Sequence, residues 1–174
     1  GMGRNQYGQL GDGTTVDRVS PVRIIEANAT GVVCGGDFSF ILKQDGSLWS
    51  FGADGEGRCG VKKDGTNFPQ QVMSSGVRTV AGSGSHSLIL KTDGSLWSTG
   101  SGKLGKTGHG QYGNEHLPVK IVEGGVAGIA TGKHHSVYWT DTGEVYVFGY
   151  NGSGQLGMGT TLNVMTPSTL GSFR

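Results

Sequence analysis

Apolar residues along the chain gather in short runs closed by turn residues. "HSLILK" (86–91) and "SLWS" (95–98) flank "TDG", and "FSFILK" (38–43) and "SLWS" (47–50) flank "QDG". Such runs predict strands. Asp-Gly between them predicts a hairpin with a type I′ turn, whose two central residues need positive φ. In "TDTGEV" (140–145) the connection reads as one residue longer, which predicts a different turn. The run from Val77 to Val80 before one hairpin, and that from Val119 to Val122 after it, add two strands to each unit. Leu88 and Leu90 point to one face of their strand and Ile89 to the other, so both faces of the sheet need a cover. Gly-free stretches are short and most of the longer ones contain a proline, which leaves no place for a helix of ordinary length.

The pattern recurs. "HSLILKTDGSLWSTG" (86–100) matches "FSFILKQDGSLWSFG" (38–52) and, more loosely, "HSVYWTDTGEVYVFG" (135–149). Pro21, Pro69, Pro118 and Pro167 keep the same spacing, and "GRNQYGQLGDGTT" (3–15) returns as "GYNGSGQLGMGTT" (149–161). The reading is a single repeat domain over 1–174, with repeats at 29–73, 77–122 and 126–170 preceded by a half repeat at 3–25. Four-stranded sheets stacked face to face around an axis satisfy both the period and the two-sided burial. The expected fold is all-β: three four-stranded β-propeller blades plus an extra strand near Pro21–Ile25, in an incomplete ring. A leucine-rich solenoid repeats every 20–29 residues or so and does not fit.

Composition narrows the function. Glycine supplies 35 of 174 residues without collagen's three-residue period, and 14 Lys and Arg nearly balance 13 Asp and Glu. No basic tract supports phosphate-backbone contacts, so nucleic acid is not an expected partner. No apolar run reaches the length of a membrane span, and no membrane partner is expected. Gly1-Met2 reads as a tag remnant ahead of an initiator methionine, and the expected compartment is the cytoplasm. Two cysteines, Cys34 and Cys59, are too few for a disulfide framework or a metal site.

The period, the "HS" pair, the "DGSLWS" hairpin and "GRNQYGQLGDG" (3–13) together resemble the regulator of chromosome condensation repeat family, more its repetitive bacterial members than the founding exchange factor. The resemblance covers nearly the whole chain. It implies roughly half of a seven-bladed propeller. It also implies two functional alternatives to a plain scaffold: guanine-nucleotide exchange on a small GTPase, or inhibition of a secreted enzyme such as a β-lactamase.

One stretch suggests chemistry. "GSGKLGKTG" (100–108) fits the phosphate-loop pattern G-x-x-x-x-G-K-[ST]. In repeat phase it is the same loop as 3–11 and 149–157, and "HGQYGNEHLP" (109–118) cannot begin the helix that such a loop requires. It reads as a structural turn. His86 and His135 share their slot with Phe38, so they read as packing residues. His134 with His135, and His109 with His116, lack the further ligands of a metal site. Cys34 shares a small-residue slot with Gly82 and Thr131, and Cys59 replaces a leucine. Asn5, Asp54, Gly102 and Asn151 share a slot read as a turn with positive φ. Trp49 and Trp97 read as inter-blade packing, and Trp139 as core.

No catalytic, metal or cofactor site is expected, and the chain reads as a non-enzymatic scaffold for a protein partner. The loops that depart most from the repeat, 62–68 and 109–116, occupy the same place in adjacent repeats and should share one side. They supply the partner-binding candidates Lys62, Lys63, Asn67, Phe68, His109, Tyr112, Glu115 and His116. Open blade ends predict self-association or a place in a larger propeller.

Overall fold

The computed structural model describes residues 1–62 and 65–172. Twelve strands form three antiparallel sheets, each in simple meander order. The first holds β1 (Ala29–Cys34), β2 (Phe38–Lys43), β3 (Leu48–Ala53) and β4 (Gly65–Met73). The second holds β5 (Val77–Ser83), β6 (His86–Lys91), β7 (Leu96–Ser101) and β8 (Asn114–Val122). The third holds β9 (Val126–Thr131), β10 (His135–Thr140), β11 (Glu144–Gly149) and β12 (Val164–Ser172). The described helical structure is one 3₁₀ turn, Lys103–Gly105.

Alternation along the strands fills the spaces between sheets. Ile89 faces the first sheet, in a cluster with Phe38, Phe40, Leu48, Val77 and Val80. Leu88, Leu90 and Leu96 face the third, against Val126, Tyr138 and Phe148. Burying each of these aliphatic side chains stabilises the stack by about 1.5–3 kcal/mol.

The hairpins differ from the expected type I′ turn. Gly46 N–H donates to the Lys43 carbonyl (2.9 Å) and Lys43 N–H to the Ser47 carbonyl (3.0 Å). Only Gly46 has positive φ (+75°), and Asp45 does not. This is a three-residue loop, a type I turn closed by a left-handed glycine. The aspartate explains it. Asp45 accepts from Ser47 N–H (2.9 Å) and Ser47 Oγ–H (2.6 Å), and Ser47 Oγ accepts from the Trp49 indole (2.9 Å). Asp93, Ser95 and Trp97 repeat the arrangement. The bonds to Ser47 and Ser95 hold both carboxyls below the usual range. "TDTGEV" is not a longer connection: Gly143 N–H donates to the Thr140 carbonyl at 3.0 Å, as Gly46 does to Lys43. Thr142 stands where the others have Asp, and the turn is the same.

The half repeat also differs from expectation. Residues 21–25 form no strand; Gly1 bonds to the segment at Val22 and Gly3 lies beside Arg18. Their register is nevertheless that of a blade. Gly1 and Val22 exchange backbone hydrogen bonds and Gly3 pairs with Arg18, as Val147 pairs with Ser168 and Gly149 with Val164.

The two outer faces of the stack are unequal. Residues 1–25 lean over the first sheet and leave a cavity of about 520 Å³ lined by Leu10, Ile24, Val32, Ile41 and Phe51. No described residue covers the outer face of the third sheet in this way. Trp139, expected in the core, is 42 % exposed, whereas Leu90 in the same slot one sheet earlier is fully buried. Leu90→Ala is expected to cost about 2–5 kcal/mol of unfolding free energy by urea titration. Trp139→Ala should cost less despite the larger side chain. A greater loss at Trp139 would mean that the outer face is covered.

Candidate functional site

Two sets of loops meet at one end of the stack: the β1–β2, β5–β6 and β9–β10 turns, and the long connections after β3, β7 and β11. The connections after β3 and β7 each lie on the next sheet through a Gly-x-x-Gly turn. A Cβ on Gly57 would overlap the Glu115 carbonyl, and one on Gly105 would crowd the Val164 carbonyl and Met165. Gly8, in the half repeat, sits on Asn67 in the same way. A buried serine then reaches up from the covered sheet. Ser39 Oγ donates to the Gln9 carbonyl (2.9 Å), Ser87 Oγ to that of Arg58 (2.8 Å), and Ser136 Oγ to that of Lys106 (2.9 Å). The serine of the "HS" and "FS" pairs is therefore a joint between sheets. It repeats at every copy, which was its signal in the sequence, but its partner lies in the preceding repeat.

His86 extends one of these joints. Its ring is fully buried, and Nε2 lies 2.8 Å from Ser136 Oγ. The Ser136 hydroxyl donates to Lys106, so Nε2 carries the proton. Burial, with Lys106 nearby, pushes the His86 pKa down to about 3 and keeps the ring neutral. Cys59 is buried and its thiol is pushed up by burial, whereas Cys34 is exposed.

The Asn/Asp slot is not a left-handed turn. Among the described residues positive φ outside glycine occurs at Asn28 and Leu104, not at Asn5, Asp54 or Asn151. These three side chains are fully buried and cap their loops. Asn5, Asp54 and Asn151 each accept, through Oδ1, the N–H five residues on, at 2.9, 2.6 and 3.0 Å. The two Asn amides also donate to the Thr14 and Thr160 carbonyls. Asp54 has an oxygen in that place, buried and without a donor among the described residues. Burial raises its pKa to about 6.

The candidate residues divide. Lys62, Phe68, Tyr112 and His116 are exposed. Asn67 belongs to the fold: its side chain donates to the Gly13 carbonyl (2.8 Å), and its own carbonyl accepts from Gly13 N–H (2.8 Å). His109 Nε2 lies 3.1 Å from Ser98 Oγ, and its Nδ1 lies 4.0 Å from Glu115. Lys63 lies outside the described residues. The two loops do not form one continuous patch. Asn67 lies under the half-repeat loop, whereas Glu115 and His116 lie against the Gly57 turn.

The 100–108 loop holds the 3₁₀ turn Lys103–Gly105, and no helix follows it. Lys106, only 4 % exposed, donates to Ser85 Oγ at 2.6 Å. This contact has no counterpart at Gln9 or Gln155, whose side chains curl back to accept from Tyr7 N–H and Ser153 N–H of their own loops. Arg58 departs from the repeat in the same sense, with Nη1 donating to the Gly84 carbonyl (3.2 Å).

Comparison with known sequences places this architecture. A family model described as the regulator of chromosome condensation (RCC1) repeat matches residues 1–42, 45–90 and 142–174. A second model of the same description matches 29–58, 77–106 and 126–155. The chain belongs to the RCC1-repeat family. It is 32 % identical over 185 aligned positions to the E3 ubiquitin-protein ligase HERC2 of Homo sapiens, covering 99 % of this chain and 4 % of that protein. It is 29 % identical to the probable E3 ubiquitin-protein ligase HERC4 of Homo sapiens, covering 97 % of this chain and 17 % of that protein. Among solved structures, Prp20p of Saccharomyces cerevisiae superposes with a TM-score of 0.85 at 25 % identity over 97 % of this chain and 45 % of that one. That structure was described together with binding to Gsp1p and histones. Human WBSCR16 superposes with a TM-score of 0.80 at 24 % identity over 97 % of this chain and 46 % of that one. The chain thus spans a small part of the curated relatives and just under half of these propellers. The RCC1-repeat chain is all-β propeller structure, and none of its described helices is long and apolar enough to cross a membrane.

The Asp54 cap yields a pH test. Its folded pKa lies above the unfolded value of about 3.9, so the native state binds the extra proton between the two. Stability from this group is present near pH 4 and is lost as pH rises through about 6. Asp54→Asn, the residue the repeat uses at 5 and 151, is expected to raise unfolding free energy at pH 7.5 and to gain much less at pH 4.5. The difference between wild type and variant cancels the opposing pH trends of His86 and His134, whose pKa values burial lowers. Urea titrations at the two pH values check it, and a gain independent of pH would contradict the assignment.

Proposed function

We propose that this RCC1-repeat chain is a non-enzymatic protein-interaction module that takes its partner on the end of the stack where the long loops meet. One observation carries the reading: the residues that suggest chemistry in the sequence are used in joining sheets. His86, Ser136 and Lys106 form one such joint. Cys59 is packed in the core beneath the Asp54 cap. A catalytic centre needs such groups presented to a substrate, and here they are spent on neighbours within the stack. Exposed aromatic residues remain for recognition, with Phe68 51 % and Tyr112 73 % exposed. Large aromatics are the residues that anchor protein interfaces. Lys62 and His116 are exposed as well, and the sequence adds Lys63 to the candidates. The exposed outer face of the third sheet fits the same reading, taken up by a further blade or by a second copy of the chain.

The test is affinity capture with wild type and with Phe68→Ala/Tyr112→Ala, both checked for unchanged far-UV circular dichroism. Defined protein partners lost at least tenfold in the double variant are expected. Equal capture by both would remove these aromatics from the interface. Accelerated nucleotide release from a captured small GTPase would replace the scaffold by an exchange factor.

A further inference from the structure

Two adjacent repeats break their own rule at the same slot, and both breaks converge on one turn. Where Gln9 and Gln155 fold back on their loops, Arg58 reaches forward to Gly84 of the next sheet and Lys106 reaches back to Ser85 of its own. They come from different sheets and meet at the two residues that connect β5 to β6. Neither has a carboxylate within ion-pair distance among the described residues. Glu56 is the acid whose field Lys106 feels, and Lys103 and Arg58 oppose it. Lys133 and Lys106 both act on His134. Lys103 and Lys133 are exposed at the rim, and the Lys133 carbonyl packs on Gly84. Cations crowded in this way repel one another, and a buried charge without a counter-ion is costly. Among the described residues the four cations outnumber the acids that act on them, Glu56 on Lys106 and Asp54 on Arg58.

Arg58 connects this turn to open surface. It lines a groove of about 690 Å³ between the half-repeat loop and the first sheet, walled by Tyr7 and Phe68. Its Nε is buried without a partner, and Nη1 is the guanidinium nitrogen engaged among the described residues. The acid on the groove wall, Asp37, is held by Arg4 at 3.7 Å.

We infer that the Gly84–Ser85 turn, with Arg58 and Lys106 behind it and Lys103 and Lys133 at its rim, is a recognition site for an acidic peptide segment of a partner protein. The inference rests on the interaction-module reading and names the chemistry of its partner. Arg58 contacts the carboxylate through its unused donors, as guanidinium groups do in bidentate pairs. Lys106, buried beneath, acts through its field, which the protein interior screens less than water does. A nucleic acid is disfavoured because the cations converge on a point rather than following a track, and the whole chain carries a net charge of only +1.

The probe is a fluorescein-labelled hexaglutamate peptide, followed by anisotropy against the folded chain and by amide shifts in labelled protein. Saturable binding is expected, with the Gly84 and Ser85 amides moving. Arg58→Gln/Lys106→Gln installs the side chain that the repeat itself uses at 9 and 155, so the fold is retained. It should weaken the peptide at least tenfold. Lys91→Gln, a cation at the opposite end of the stack, should leave binding within twofold of wild type. Unchanged affinity in the Arg58/Lys106 variant, or no binding by wild type, overturns the inference. Tighter binding of a twelve-residue oligothymidylate than of the peptide also overturns it, in favour of nucleic acid. Peptide binding that survives Phe68→Ala/Tyr112→Ala while partner capture is unaffected faults the aromatic surface alone. Capture that survives Arg58→Gln/Lys106→Gln faults the acidic-segment assignment alone.

Discussion

The structure depends on one recurring contact: the tight turn of a long loop laid on the next sheet and held there by a buried serine hydroxyl. Side-chain burial between sheets supplies most of the free energy, but apolar packing is non-directional. The serine bonds are directional. They fix how far each sheet turns relative to the last, at three successive joints with donor–acceptor distances of 2.8–2.9 Å. At the opposite end, hairpin turns make a second tie, with Val77 N–H donating to the Gly46 carbonyl and Val126 N–H to that of Gly94. Sheets bound at both ends form a rigid stack. Rigidity of this kind keeps the loops at one end of the stack in a fixed arrangement.

The same contact explains why the acidic-segment site exists where it does. A loop clamped over the next sheet lies between that sheet's first turn and the first turn of its own sheet, and its variable residue, the second of Gly-x-x-Gly, can reach either one. Gln in this slot is neutral and turns back on its own loop. Arg58 and Lys106 instead arrive side by side at Gly84 and Ser85, because the loop of the first sheet and the loop of the second both border that turn. Preorganised charge is inexpensive to use on binding, since its desolvation is already borne by the fold.

Much of the architecture was legible in the sequence, because repetition averages out local ambiguity. Strands, hairpins and stacked sheets all follow from apolar alternation and Asp-Gly placement recurring in phase. Details decided by a partner in another repeat were not. Ser39, Ser87 and Ser136 look like ordinary strand residues until the loop above them is in place. The Asn slot looked like a turn signal, since Asn, Asp and Gly share a tolerance for positive φ, yet burial and a cap to the fifth N–H are what select Asn. Asp45 chose the turn type through Ser47, a contact that the Asp-Gly pair alone does not reveal. Asn67 looked variable and therefore free, but it is pinned by Gly13. Trp139 followed the apolar pattern faithfully and is exposed because none of the described sheets packs on its outer side.

The central claim is that each Gly-x-x-Gly turn is clamped on the sheet that follows, and a pair of equivalent glycines tests it. Gly57 (φ +84°) lies against the Glu115 carbonyl, whereas Gly154 (φ +72°) has nothing among the described residues within 4 Å of an added Cβ. Both alanine variants bear the left-handed backbone penalty of about 1–2 kcal/mol. Only Gly57→Ala should also force the joint apart, so urea unfolding is predicted to show it at least about 2 kcal/mol less stable than Gly154→Ala, in the range of a buried overpacking lesion. Equal losses at the two positions would mean that the loops do not bind the sheets together, and would contradict the account.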